Sequence, residues 1–381
     1  MSDLLVYFQA RTDAMVNLLT EMVNHESFSR DKPAVDRFAA FIEAQCIDTG
    51  ATVTRYPQSE VGNCLLAKWN ADAPGQPILL LGHMDTVFPA GALAERPVRI
   101  DDDGRLYGPG AVDMKAGLTI GLTAIRALID RNALPNRPVW FFFNTDEEIG
   151  SNASTPIIRE LAATCALVLV LEPATRDGAI KSSRKGVATY RVYVEGRASH
   201  AGNAPEEGVN AIVEMAQQIM VLNALNDLRH GTSVSVTKIE GGTAGNVIPA
   251  AASIHVDTRV VAMLEMDRIR AAIDALQPHI PGASVRVESI HTRPPMEYNA
   301  TMRASVERCQ TIGQRHGITV RHDSVGGGSD GNTTAAMGIP TLDGLGAVGD
   351  GLHATHEHVL ISSLPQRAAL LAALLTDWPA G

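Results

Sequence analysis

Three short, almost wholly apolar runs, at 78–81, 139–143 and 166–171, each end in side chains that can bind metal or move protons. The first leads into Gly82-His83-Met84-Asp85, where alternation on an extended backbone points His83 and Asp85 the same way. Asp85 is therefore placed to hold the His83 ring and fix its tautomer. The second run ends in Asn144-Thr145-Asp146-Glu147-Glu148. Neighbouring acids at a strand end repel unless a cation offsets them, and because they point apart, one can ligate while the other carries protons. The third ends in Glu172-Pro173, and a glycine-rich stretch, Tyr107-Gly108-Pro109-Gly110, delivers Asp113 at a helix start. Near the C-terminus, His353, His356 and His358 crowd into six residues, as a local metal knot or as one ligand beside surface histidines. Together His83, Asp113, Glu148, Glu172 and His353 suffice for two metal ions sharing one bridging carboxylate, with Glu147 left as general acid and base. The four cysteines lie far apart without a CxxC pair, so thiolate ligation is not expected. Imidazole and carboxylate without thiolate suit zinc, with cobalt or manganese as substitutes.

The elements that must position these groups follow from periodicity. Unalternating apolar runs read as strands buried on both faces of a parallel sheet, with helices between them, and 115–130 is helix-spaced between the first two. Open sheets of this kind hold ligands beyond the carboxyl ends of their strands, where the polar residues stand. Helix spacing also runs over 13–48, with Pro33 inside it. After Lys185 the pattern changes: 187–194 (VATYRVYV) and 233–239 alternate, 252–260 is another strand, and 210–225 is an amphipathic helix. Alternation suits a half-exposed antiparallel sheet. The expectation is an α/β domain of residues 1–186 and 294–381, mainly parallel and flanked by helices, with an inserted α+β domain at 187–293. From 301 a helix-rich pattern is expected to run to 378.

At 381 residues two domains are the ordinary outcome. The formal net charge of -10, without a basic stripe, points away from nucleic acid. No apolar run approaches the roughly 20 residues of a membrane span, and the first residues lack a secretory pattern. A cytoplasmic protein is expected. Neither GxGxxG nor GxxxxGK[ST] occurs around residues 107–115, which disfavours a dinucleotide-dependent oxidoreductase.

In order along the chain, LLLGHMDTVFP, LYGPGAVDMKAGL, NTDEEIGS, LEPA, RKGVATYRVYVEGRASHAGNAPEEGVNA, GGTAGNVIPA, VDTR, GGGSDGN and GLHATHEH resemble the M20 metallopeptidase family, in its carboxypeptidase G2-like (glutamate carboxypeptidase) branch. The resemblance runs from about residue 15 to the C-terminus. It implies that His83 and Glu172 hold one zinc, Glu148 and His353 the other, and Asp113 both, with Asp85 orienting His83 and Glu147 as acid and base. It implies that the insertion is a lid through which two chains form a homodimer. His200 would stabilise the oxyanion, sometimes across that dimer, while Asn246 and Arg259 grip substrate carboxylate and carbonyl groups. Arg293 aligns loosely as a second anion-binding group. The implied substrates are N-acyl amino acids or small peptides, cleaved to release a C-terminal amino acid such as glutamate. The same motifs serve deacylases and deacetylases of the aminoacylase or acetylornithine deacetylase type, which is the alternative. Family members carry one C-terminal histidine, so His356 and His358 depart from the pattern, and His353 has the right spacing to Glu357. A non-catalytic binder on this scaffold would have lost a ligand or Glu147, and none is lost.

Overall fold

The structure is a computed structural model that describes residues 3–379. It divides into two compact units, the first made of residues 3–183, 298–325 and 329–379. Its sheet contains β1 (Thr52–Tyr56), β2 (Cys64–Trp69), β3 (Ile78–His83), β4 (Val139–Asn144) and β5 (Leu167–Val170). The strand order is β1-β2-β4-β3-β5, closed at the edge by Thr341–Leu342. β3 runs parallel to both β4 and β5, whereas β1 and β2 pair antiparallel along the other edge. The central runs are uniformly apolar because both faces are covered. Ile78 and Leu80 join one core with the helices Thr12–Val23, Ala116–Asp130, Ala300–Arg315 and Leu364–Asp377. Leu79 and Leu81 face the other way, onto Ile158, Leu161 and Ala162 of the helix Thr155–Ala162.

The helix Ala116–Asp130 lies unusually close to the sheet. A Cβ on Gly117 would stand 2.0 Å from the carbonyl oxygen of Leu171, so only glycine permits this approach. The contact draws the loop carrying Asp113 down to the carboxyl ends of the strands.

The mainly parallel sheet agrees with the sequence reading, but two helical stretches need correction. The expected 13–48 run is two helices, Thr12–Val23 and Lys32–Asp48. The second begins afresh because the Asp31 carboxylate accepts the Ala34 N–H at 3.0 Å and Pro33 occupies the first turn. The stretch from 301 to 378 is interrupted: between Arg315 and Leu364 lie short strands, turns and the helix Gly331–Ala336.

The second unit comprises residues 184–297 and 326–328. Its strands β6 (Gly186–Glu195), β7 (Ser233–Gly241), β8 (Ala251–Val260) and β9 (Ser284–Arg293) form an antiparallel sheet of order β7-β8-β6-β9. Along β6, Ala188, Tyr190, Val192 and Val194 turn inward to a core shared with Met215 and Ile269, from the helices Ala211–Asn223 and Met263–Asp274. The triglycine at 326–328 joins this unit because buried Arg184 donates to the carbonyls of Gly327 and Gly328, each at 3.1 Å. No helix among the described residues is long and apolar enough to cross a membrane.

Candidate metal centre

The strand ends and loops of the first unit gather five side chains into one cluster. His83 closes β3, where it pairs with Asn144 of β4. Asp113 arrives through a loop whose turn is made at Gly110, with φ +71°. A Cβ there would lie 2.4 Å from Thr86 Cγ2. The two oxygens of Asp113 face different imidazoles: Oδ1 lies 3.2 Å from His83 Nε2, and Oδ2 lies 3.3 Å from His353 Nε2. His83 Nε2 is also 3.6 Å from Glu172 Oε1, and His353 Nε2 is 3.1 Å from Glu148 Oε2. Asp113 thus stands between a His83–Glu172 side and a His353–Glu148 side.

Charge explains why the cluster holds together. Burial pushes the Glu148 carboxyl up to about 7. Asp113 is fully buried, which works against ionisation, yet hydrogen bonds from His353 and His83 hold it well below the usual carboxylate range. In return Asp113 and Glu148 raise His353 to about 10. Burial opposes protonation of His83, but Asp113 and Asp85 outweigh it and hold the ring well above its ordinary range. Two imidazoles thus face a concentration of carboxylates. The same oxygens and nitrogens would attract divalent cations, so the donor set fits them. Donor atoms of His83, Asp113 and Glu148 lie within 4.8 Å of one another, as do those of His83, Glu147 and Glu172. Glu147, expected to stand free of metal, is therefore itself within the cluster.

Asp85 does more than the sequence suggested, and in a different way. The His83 Nδ1–H donates to the backbone carbonyl of Asp85 at 2.9 Å, while the Asp85 carboxylate lies 3.5 Å from that nitrogen. The carboxylate also accepts the Ser29 hydroxyl at 2.7 Å and the N–H groups of Glu147 and Glu148 at 3.2 Å each. It ties the end of β3 to the turn that presents both glutamates. Behind that turn, Asp330 accepts from Ser151 at 2.5 Å and from Asn144.

Of the three C-terminal histidines only His353 joins the cluster. His356 is exposed, and His358 lies against the Tyr107 ring with centroids 5.1 Å apart. The local knot is not formed. His353 sits in the left-handed region at φ +61°, just after Gly351 at φ +75°. Glu357, noted from sequence only for its spacing, is 1 % exposed and accepts the N–H groups of Gly110, Val112 and Asp113 at 2.9–3.1 Å. Burial pushes its carboxyl up to about 8, against the pull of these three donors. Ser29, Asp330 and Glu357 were not picked out as site residues. Only Glu357 carried a usable signal, an acid beside a ligand candidate.

The remaining expected site residues lie in the second unit. His200 is exposed, and its Nδ1 accepts the N–H groups of Gly202 and Asn203 at 3.1 Å each, so the neutral ring carries its proton on Nε2. Asn246 is exposed in the preceding turn of Val247–Ile248, and its carbonyl accepts the Ala201 N–H at 2.9 Å. Arg259, on β8, is engaged by the Asp257 carboxylate through two bonds of 2.9 and 3.0 Å. Arg293 ends β9 and is buried.

A mainly parallel α/β sheet with imidazoles and carboxylates converging beyond its strand ends defines a metal-dependent peptidase or amidohydrolase. The chain belongs to peptidase family M20/M25/M40, whose sequence profile matches residues 79–377. It is 33% identical over 386 residues to carboxypeptidase G2 of Pseudomonas sp. (strain RS-16), covering 99% of this chain and 92% of that protein. Succinyl-diaminopimelate desuccinylase 2 of Shewanella loihica is 30% identical over 352 residues, or 86% of this chain and 91% of its own. Among solved structures, aminopeptidase PepT from Bacillus cereus shares the fold with a TM-score of 0.79 at 24% identity, covering 96% of this chain and 98% of that one. A Bacillus subtilis protein described as a dinuclear metal binding peptidase of the M20 family shares it with a TM-score of 0.66 at 16% identity, covering 97% and 99%.

Proposed function

We propose that the chain is a dinuclear zinc hydrolase that cleaves the amide bond of N-acyl amino acids or small peptides, releasing a C-terminal amino acid such as glutamate. The observation that carries this reading is the split stance of Asp113, one oxygen 3.2 Å from His83 and the other 3.3 Å from His353. A carboxylate shared by two cations stands this way. His83 and Glu172 would hold one ion, Glu148 and His353 the other, and Asp113 both. Bound there, the ions acidify water and polarise the substrate carbonyl.

Glu147 takes the proton from water and returns it to the leaving nitrogen. Its backbone N–H is held on the Asp85 carboxylate, so the residue that brackets His83 also fixes the base. His200 donates from Nε2–H to the oxygen that gains charge, while Asn246, Arg259 and Arg293 hold the substrate's carboxylate end. For Arg259 this means sharing or exchanging Asp257 for substrate. The second unit serves as lid and dimerisation surface. Its exposed Ile212, Val213 and Met220 on one helix and Ile239 on the edge strand β7 support a homodimer. Four unpaired, buried cysteines suit a reducing, cytoplasmic location.

Metal analysis at saturation should give two ions per chain, and fewer in Asp113→Ala whose circular dichroism is unchanged. Full metal content and turnover in that variant would refute the dinuclear site. The similarity to a desuccinylase favours a second reading, removal of an acyl group whose own carboxylate is recognised. A panel of N-acyl glutamates, dipeptides and N-succinyl amino acids on zinc-loaded protein separates the two.

A further inference from the structure

Glu357 has an arrangement that its position next to the histidine run does not require. One carboxylate oxygen accepts the N–H groups of Val112 at 2.9 Å and Asp113 at 3.1 Å, and the other accepts that of Gly110 at 3.1 Å. Three donors from four consecutive residues converge on one anion because left-handed Gly110 turns the peptides inward, the geometry of an anion-binding nest. The guest, however, belongs to the chain itself, and comes from the loop that carries His353. That loop is tight: the Ala354 N–H donates to the Gly351 carbonyl at 2.8 Å and the Glu357 N–H to the Ala354 carbonyl at 3.2 Å. A Cβ on Gly351 would lie 2.9 Å from the Glu357 nitrogen. His353 and Glu357 therefore move together, and the nest fastens both to the loop of Asp113.

We propose that Glu357 is a positioning residue: it sets the separation between Asp113 and His353, and through it the geometry and affinity of the metal position that His353 and Glu148 share with Asp113. The inference rests on the dinuclear reading above. Glu357 is not placed as a ligand, since both of its oxygens face backbone N–H groups and neither donor cluster includes it. Its effect resembles that of outer residues that orient metal ligands, whose loss typically weakens metal binding about 10–100-fold.

The test uses Co²⁺ titrated into metal-free, full-length protein, followed by visible absorption. Glu357→Gln keeps one accepting oxygen but turns an NH₂ group towards an N–H donor, and Glu357→Ala removes all three bonds. The wild type should take up two equivalents. In both variants one equivalent should bind more weakly, roughly 10-fold for Gln and 100-fold for Ala, with a changed absorption band. If Glu357→Ala fails to fold, Glu357→Gln decides alone. Glu214→Gln is the control for a purely structural acid. Glu214 is also fully buried and accepts the N–H groups of His279 and Ile280 at 2.9 and 2.7 Å, in the other unit. That variant should titrate like wild type. Asp113→Asn should lose an equivalent outright. Wild-type titration and spectrum in Glu357→Gln, with loss in Asp113→Asn, would overturn the role of Glu357 and leave the dinuclear site standing. Wild-type titration in Asp113→Asn would instead remove the dinuclear reading on which the inference rests.

Discussion

His83 and His200 both stand on strands, in different units, and their surroundings are opposite. His83 is 2% exposed and has both nitrogens committed, one to the Asp85 carbonyl and one to Asp113. His200 is exposed, with Nδ1 tied to its own turn. The contrast extends to their neighbours. In the first unit the acids are buried and hold one another through imidazoles. In the second, Arg259 is occupied by Asp257 and Asn246 lies open to solvent. The first region is organised before any substrate arrives, as electrostatic catalysis requires. On the reading proposed above, the second presents donors for the substrate to engage, Arg259 at the expense of its bond to Asp257. Changes to the five side chains proposed to hold metal in the first should therefore alter metal content, whereas changes in the second should alter rate or affinity and leave metal content alone.

The strongest challenge to this contrast is chelation. Removing metal should abolish turnover, and zinc or cobalt should restore it; a fully active metal-free protein would erase the distinction. Next, Glu147→Gln should keep two ions per chain but lower kcat by roughly 10²–10⁴-fold or more, since one group both accepts and returns the proton. Loss of an ion in that variant would recast Glu147, which lies among the donors of His83 and Glu172, as a ligand. His200→Ala should lower kcat by about 10²–10³-fold with metal content and melting temperature unchanged. Mixing it with Glu147→Gln, once subunit exchange is proven, should restore activity if the histidine is donated across a dimer. The mildest effect belongs to Arg259→Gln. A hydrogen bond to a charged group contributes about 1.5–3 kcal/mol, so KM should rise about 10–150-fold while kcat changes little. A larger fall in kcat than in affinity would move Arg259 from binding into chemistry.

The central strands and the five converging side chains were legible in the sequence because one physical cause marks both. A run buried on two faces must be apolar throughout, so a His, Asp or Glu at its end is conspicuous. The antiparallel strands β1 and β2 escaped because TVTRY is mostly exposed and CLLAKW is broken by Lys68. The stretch after Arg315 was misjudged since its strands are only two to four residues long, too short to set a period. Within the site, what stayed hidden was which atom of a residue does the holding. Asp85 meets His83 most closely through its carbonyl, while its carboxylate, 3.5 Å from the ring, also serves Ser29 and two glutamate N–H groups. A sequence names the side chain but does not say where each oxygen goes. The role of Glu357 was illegible for a related reason: its partners are backbone N–H groups, which every residue but proline possesses.

The clasp of Glu357 on the Asp113 loop also has a consequence in time. The two partners are 244 residues apart in the chain. At about 5–20 residues per second, a ribosome needs roughly 12–50 s to travel that distance. For most of that interval, once Glu172 has been made, a growing chain owns His83, Asp113, Glu148 and Glu172 but neither His353 nor the carboxylate that fills the nest. The second unit can close its own antiparallel sheet meanwhile, since nearly all its residues lie within 184–297. The candidate centre thus has all five of its side chains only once the loop of His353 has been made.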